Sequence, residues 1–207
     1  MIEVEARGEI KGDFNELVEK FRKIAKFKGV KERISFVYMR HALDIDVREI
    51  LDDIVDLRLR VTNKKAEIIM KYGKWSGSDS REEYSVPINL QDIESAVSLL
   101  KCLDWDKGII ATTKTFVFDY KGIEFALVKY YGNEYYFEAE KMVENKKDIK
   151  KEKEFIKEEC RNLGLNIFTS NEFMDYINYL NKNKNCKFDF KKQDFSYWKD
   201  KFKDYFT

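Results

Sequence analysis

Strict alternation of side-chain character is the feature that most restricts this chain. From Ile2 to Glu9, apolar Ile2, Val4 and Ala6 take every second place, and Glu3, Glu5, Arg7 and Glu9 alternate with them. A period of two puts the two sets on opposite faces of an extended strand. The pattern returns over residues 55–61, where Arg58 and Arg60 share a face and Leu57, Leu59 and Val61 share the other. Strands of this kind call for an antiparallel sheet with one face on an apolar core.

Further strands are expected at 33–39, 66–72, 81–86, 110–119, 123–130 and 134–141. Asn63-Lys64, Tyr120-Lys121-Gly122 and Gly132-Asn133 supply turns between neighbours. Helices interrupt the series. Asp13, with Glu16 three residues on, has the spacing of a capping box. Phe14, Leu17, Val18, Phe21 and Ile24 follow as an apolar stripe, with Gly29 near the helix end. Asn89 is expected to cap a second helix over 90–101, just after the only proline, Pro87. Beyond residue 142 the character changes. A Lys/Glu-rich helix over 146–161 ends at Gly164, and Ser170 starts another with Phe173, Ile177 and Leu180 inward. Residues 181–193 are polar and rich in Lys and Asn. Phe195, Trp198, Phe202 and Phe206 recur at helical spacing and read as a packing face.

The 207 residues carry 39 Lys+Arg against 38 Asp+Glu. A near-neutral balance argues against a general nucleic-acid binder, which would be basic overall. Cys102, Cys160 and Cys186 are too few and too far apart for a disulfide framework or a C-x-x-C zinc site. The acidic start lacks the basic and apolar character of a secretion signal, and no run reaches the ~20 apolar residues of a membrane span. These features lead to the expectation of a cytoplasmic protein. His41 is the only histidine and reads as structural, and no serine has the context of a nucleophile elbow. Trp75 reads as a loop-anchoring aromatic, with base or thiazolium stacking as its functional alternative.

Charge sorts by strand. The first strand offers Glu3, Glu5 and Arg7, and the last offers Glu138 and Glu140. The middle strands carry Arg58, Arg60, Lys71 and Arg81, and Lys114 stands on a later one. On the residues alone, a two-faced sheet with its polar face in water accounts for this as well as an inward-facing charged site does. Burying so many ions is costly unless they are paired or bind something. Arginines suit phosphate oxygens, and clustered carboxylates suit hard divalent cations.

The pieces resemble the CYTH family of class IV adenylyl cyclases, thiamine triphosphatases and other triphosphate tunnel metalloenzymes. Glu3-Val4-Glu5-Ala6-Arg7 looks like its E-x-E-x-K/R opening, Leu57-Arg58-Leu59-Arg60 like its arginine strand, and Lys71 like its lysine strand. Arg81-Glu82-Glu83 resembles the start of R-x-E-x-E, and Lys114 the basic residue of a later strand. Tyr136-Phe137-Glu138-Ala139-Glu140 is similar to the closing F-x-E-x-E. The resemblance covers residues 1–142 and implies an eight-stranded antiparallel β-tunnel, or barrel, with flanking helices. Residues 143–207 are then a helical C-terminal extension packing on it. It also implies Mg²⁺ or Mn²⁺ on Glu3, Glu5, Glu138 and Glu140, which act as catalytic metal ligands. Arg7, Arg58, Arg60, Lys71, Arg81 and Lys114 are implied to hold phosphate, with Glu83 orienting a basic neighbour.

Three departures stand out. Phe116 occupies the place of an arginine two residues after Lys114, Ser85 replaces an acid, and residues 126–129 lack the penultimate strand's aspartate. The expected function is hydrolysis of a small-molecule triphosphate: inorganic triphosphate, thiamine triphosphate or a nucleotide. Formation of cyclic AMP from ATP and non-catalytic binding of a phosphorylated ligand are the alternatives. No membrane or nucleic-acid partner is expected, and a homodimer is left open.

Overall fold

A computed structural model describes residues 2–50, 55–73 and 82–207. The alternation over the first residues becomes β1 (Ile2–Glu9). Asp13 then accepts hydrogen bonds from the Asn15 and Glu16 N–H groups and starts α1 (Phe14–Ile24). Phe14, Val18 and Phe21 are buried, whereas Ile24 is exposed. The helix stops short of Gly29 because Ala25 is already extended, and β2 (Lys26–Tyr38) begins at once. The expected strand at 33–39 is therefore only the second half of a 13-residue one.

β3 (Val55–Thr62), β4 (Lys65–Tyr72) and β5 (Glu82–Ile88) follow, then α2 (Ile93–Cys102). β6 (Lys107–Tyr120), β7 (Ile123–Tyr130) and β8 (Glu134–Val143) complete the main strands. α3 (Ile149–Asn162), α4 (Ser170–Asn183), β9 (Cys186–Asp189) and α5 (Phe195–Lys201) form the remainder. β9 was not expected in the polar stretch after residue 181. Phe188, 1% exposed, anchors it, and it pairs with the start of β6.

The order by neighbours is β1-β8-β7-β6-β2-β3-β4-β5, with β9 beside β6. The expected architecture, eight antiparallel strands with flanking helices and a helical C-terminal part, is the one adopted. The turns fall where they were read. Asn63 and Lys64, then Lys121 and Gly122, then Gly132 and Asn133 all have positive φ, the geometry that matches the twist of a tight hairpin.

The chain forms two compact units. The first draws on residues 2–31 and 113–176, the second on 32–73, 82–112 and 177–207. Each takes part of the stretch beyond residue 142. In the first unit, Val4, Ala6, Phe118, Phe125, Leu127, Phe137 and Ala139 make a strand face covered by Phe14, Val18 and Phe21 of α1 and Ile156 of α3. In the second, Ile34, Phe36, Leu57, Leu59 and Val61 pack with Ile93 and Val97 of α2 and Phe195 and Trp198 of α5. The tail aromatics are core, as their spacing suggested. No helix among the described residues is long and apolar enough to cross a membrane.

Candidate functional site

In the first unit the alternation of β1 turns Glu3, Glu5, Arg7 and Glu9 away from the core face. β8 runs antiparallel beside it, with Glu138 opposite Arg7 and Glu140 opposite Glu5. Opposite residues share a face, so the first and last strands of the acidic motifs are direct neighbours. β7 continues the row, with Glu124 opposite Glu140, and β6 places Asp119 opposite Glu124. Glu5, Glu140, Glu124 and Asp119 thus stand in register across four neighbouring strands. Lys31 reaches Glu124 at 3.4 Å and Lys28 reaches Asp119 at 3.9 Å, both from exposed positions.

Like charges set directly opposite one another oppose ionisation. Burial, followed by Glu3, Glu138, Glu124 and Glu5, pushes the Glu140 carboxyl up to about 7. Arg7 lies within this group. Its Nη2 donates to Glu5 Oε2 at 2.6 Å and its Nε is 3.2 Å from Glu138 Oε1. Burial would lower the Arg7 pKa, but Glu138, Glu5, Tyr136 and Glu3 outweigh it and hold the guanidinium charged. As the side chains stand, no three His, Cys, Asp or Glu residues among the described ones are gathered closely enough to hold a metal ion. The donor set nevertheless fits a hard divalent cation: all oxygen, several carboxylates, and one of them held near neutrality by the others.

The second unit carries the opposite charge. On β3, Asp56, Arg58 and Arg60 point away from Leu57, Leu59 and Val61. Arg58 makes a two-pronged pair with Asp56 at 2.8 and 2.6 Å. Lys71 is 2.8 Å from Glu83, whose carboxyl it holds below the ordinary range against the effect of burial. Arg60 is less well served. Its Nη1 lies 3.7 Å from Glu67, and its buried Nε has no hydrogen-bond partner among the described residues. Ser85 donates to the same Glu67 at 2.7 Å. Burial, then Arg33 and Arg58, lowers Arg60 to about 10. A buried guanidinium among like charges with an unused donor is suited to an anion.

Glu3, Glu5, Arg7, Glu138 and Glu140 are therefore together in one unit, and Arg58, Arg60 and Lys71 in the other. Arg7 belongs with the carboxylates, where the resemblance had implied a phosphate contact. By strand parity Lys114 stands on the other face of β6 from the carboxylates of its unit. Parity on β6 puts it with Phe116 and Phe118, opposite Lys129, on the side away from Glu124 and Asp119. Phe116 is for the same reason a core-packing residue of its unit, and no arginine is missing from the charged side at that point. Arg81 and Trp75 lie outside the described residues.

Sequence reasoning missed Arg33, Asp56, Glu67, Glu124 and Asp119. Glu124 was legible. The turn at Gly132-Asn133 fixes the β7–β8 register, and counting back from it sets Glu124 against Glu140. Arg33 was not, because its pairing with Thr62 closes over a long connection.

The fold, an antiparallel sheet with flanking helices, is shared with several solved structures. Among solved structures it is similar to the PH1819 protein of Pyrococcus horikoshii, at TM-score 0.66 and 22% identity. That alignment covers 84% of this chain and 97% of the other. A Vibrio parahaemolyticus protein assigned as an adenylate cyclase aligns at TM-score 0.58 and 16% identity, over 80% and 90% of the two chains. A Hippeastrum protein assigned as an adenylyl cyclase, and described as having a dominant triphosphatase activity, aligns at TM-score 0.52 and 14% identity, over 80% and 89%. No family model matches the chain, and no curated protein sequence matches it.

Proposed function

We propose that this protein is a metal-dependent triphosphatase acting on inorganic triphosphate, thiamine triphosphate or a nucleotide. The observation that carries the reading is Glu140. Its carboxyl stands in register with Glu5, Glu124 and Asp119 and is pushed up to about 7 by burial and by Glu3, Glu138, Glu124 and Glu5, a crowding of like charge that a bound cation would relieve. On this reading Glu3, Glu5, Glu138 and Glu140 hold Mg²⁺ or Mn²⁺, and Glu124 joins them. When bound, such an ion neutralises phosphate charge and makes water a better nucleophile. Arg58, Arg60 and Lys71 take the anionic oxygens and stabilise charge as the terminal phosphate departs, with Arg33 sharpening the local field. The dominant triphosphatase activity described for the Hippeastrum protein favours hydrolysis over cyclisation. The Vibrio protein's assignment as an adenylate cyclase keeps formation of cyclic AMP as the second reading.

The test is incubation with inorganic triphosphate, thiamine triphosphate and ATP, each with Mg²⁺ or Mn²⁺, and separation of products by ion exchange. Release of inorganic phosphate from at least one, dependent on metal, is the expected result. Cyclic AMP and pyrophosphate as main products from ATP would replace the reading with a cyclase. Tight binding without turnover would make the protein a binder of phosphorylated ligands.

A further inference from the structure

The segment that follows α3 is fastened to β1 at the residue the carboxylates surround. The Phe168 N–H donates to the Arg7 carbonyl at 2.8 Å. One residue on, Gly8 has no side chain, and a Cβ there would meet the Asn166 carbonyl oxygen at 1.8 Å. The approach of residues 166–168 to β1 therefore depends on glycine at position 8. Thr169 and Glu172 then form a reciprocal cap. The Thr169 N–H donates to Glu172 Oε2 at 2.7 Å, and the Glu172 N–H to Thr169 Oγ1 at 3.3 Å. This cap fixes the first turn of α4 and sets Phe173 with its ring 5.1 Å from the Arg7 guanidinium carbon. Phe168 contacts Phe173 and Tyr176, at 6.2 and 5.2 Å between ring centres, and Tyr176 meets Tyr136 of β8 at 6.2 Å.

Arg7 is thus held from two sides. Glu5 and Glu138 attract its charge, while Phe173 offers a ring face and shields it from water. We infer that residues 166–176 are a strap that positions Arg7 as the resident counter-ion of the carboxylates, so that a divalent cation loads only by displacing the guanidinium. Phe173 is then a positioning residue that sets metal affinity through Arg7, and the inference rests on the metal assignment made above. The strap belongs to the stretch after residue 142, so part of that stretch serves the site in its own unit.

The test uses Mn²⁺ alone, with free ion followed by its electron paramagnetic resonance signal. It compares the full-length protein with Phe173→Leu, Phe173→Tyr, Arg7→Gln and the Arg7→Gln/Phe173→Leu double variant. Phe173→Leu keeps apolar bulk but loses the ring, and is expected to bind Mn²⁺ about fivefold more tightly. Phe173→Tyr should match the parent. Arg7→Gln should bind about an order of magnitude more tightly, because a positive charge leaves the site. In the Arg7→Gln background, Phe173→Leu should change nothing further, since the residue it acts through is gone. A purely structural Phe173 would alter the melting temperature and leave Mn²⁺ affinity in place. Parent protein that binds Mn²⁺ with an affinity indifferent to Phe173→Leu overturns the strap and spares the metal assignment. So does a Phe173→Leu effect that persists undiminished in the double variant. Failure of all five proteins to bind Mn²⁺ overturns both.

Discussion

Glu140→Gln should stabilise the metal-free protein at pH 8. The carboxyl rises from its ordinary 4.5 to about 7, with burial the main cause and Glu3, Glu138, Glu124 and Glu5 behind it. At 1.36 kcal/mol per pH unit this sets a ceiling of about 3 kcal/mol. The group keeps some contact with solvent, and screening brings the expected effect to about 1–2 kcal/mol. The sign follows from linkage. Below about 4.5 Glu140 is protonated in both states and costs nothing. Between 4.5 and 7 the folded state keeps the proton while the unfolded state loses it, so stability falls as pH rises. Above 7 the loss is complete. Gln holds the neutral form at every pH, so the variant should lack this descent. For a chain of this size the gain at pH 8 corresponds to a melting shift of about 2–8 °C. Thermal melts of both proteins between pH 4 and pH 9, without metal, measure it. Excess Mg²⁺ should raise the parent's melting temperature at pH 8 and leave the variant's nearly unchanged. An equal descent in both proteins, or a variant less stable than the parent at pH 8, would refute the reasoning.

Arg60→Ala should weaken binding of inorganic triphosphate by about 10- to 100-fold, the scale of a lost charge-assisted contact, and calorimetric affinity unchanged from the parent would remove Arg60 from the anion site. Lys114→Ala should leave that affinity unaltered, because strand parity puts Lys114 on the same face of β6 as Phe116 and Phe118; a loss comparable to that of Arg60→Ala would show the parity argument to be wrong. Gly8→Ala should cost about 2–4 kcal/mol in denaturant unfolding, since the new methyl meets the Asn166 carbonyl at 1.8 Å and a Phe137 ring carbon at 2.6 Å; a variant as stable as the parent would show that residues 166–168 yield freely.

The strands were legible because charge and apolarity alternate without interruption in β1 and β3, and because paired turn residues with positive φ close three of the hairpins. Where that alternation faltered, so did the reading. The helix end was read near Gly29 and the next strand only from residue 33, since lysines and Phe27 fit either period, yet residues 26–32 are the first half of β2. β9 is four residues long, too short to carry a period, and is held by Phe188 and Phe190. The site was half legible for a related reason. Motif order pointed to Glu3, Glu5, Glu138, Glu140, Arg58, Arg60 and Lys71, but it cannot say which face a residue takes. Lys114 matched in order and failed in parity; Glu124 matched no motif and is set by register beside Glu140.

Parity also separates charges set across from an opposite sign from charges set across from a like one. An antiparallel sheet with a purely solvated polar face gains most by setting opposite signs across from each other. Arg7 opposite Glu138, Asp56 opposite Lys71 and Arg60 opposite Glu67 follow that rule. Glu5, Glu140, Glu124 and Asp119 break it across four consecutive strands. In the other unit Arg33, Arg58 and Arg60 crowd together although Thr62 and Ser35 share their strands' faces and carry no charge. Glu140, shifted upward, and Arg60, shifted downward, are both driven toward losing their charge, each by burial first and like-charged neighbours second. A sheet that needed only solubility would have no reason to keep either arrangement. Each is relieved by a ligand of the opposite sign, a hard cation for the carboxylates and an anion for the guanidinium groups.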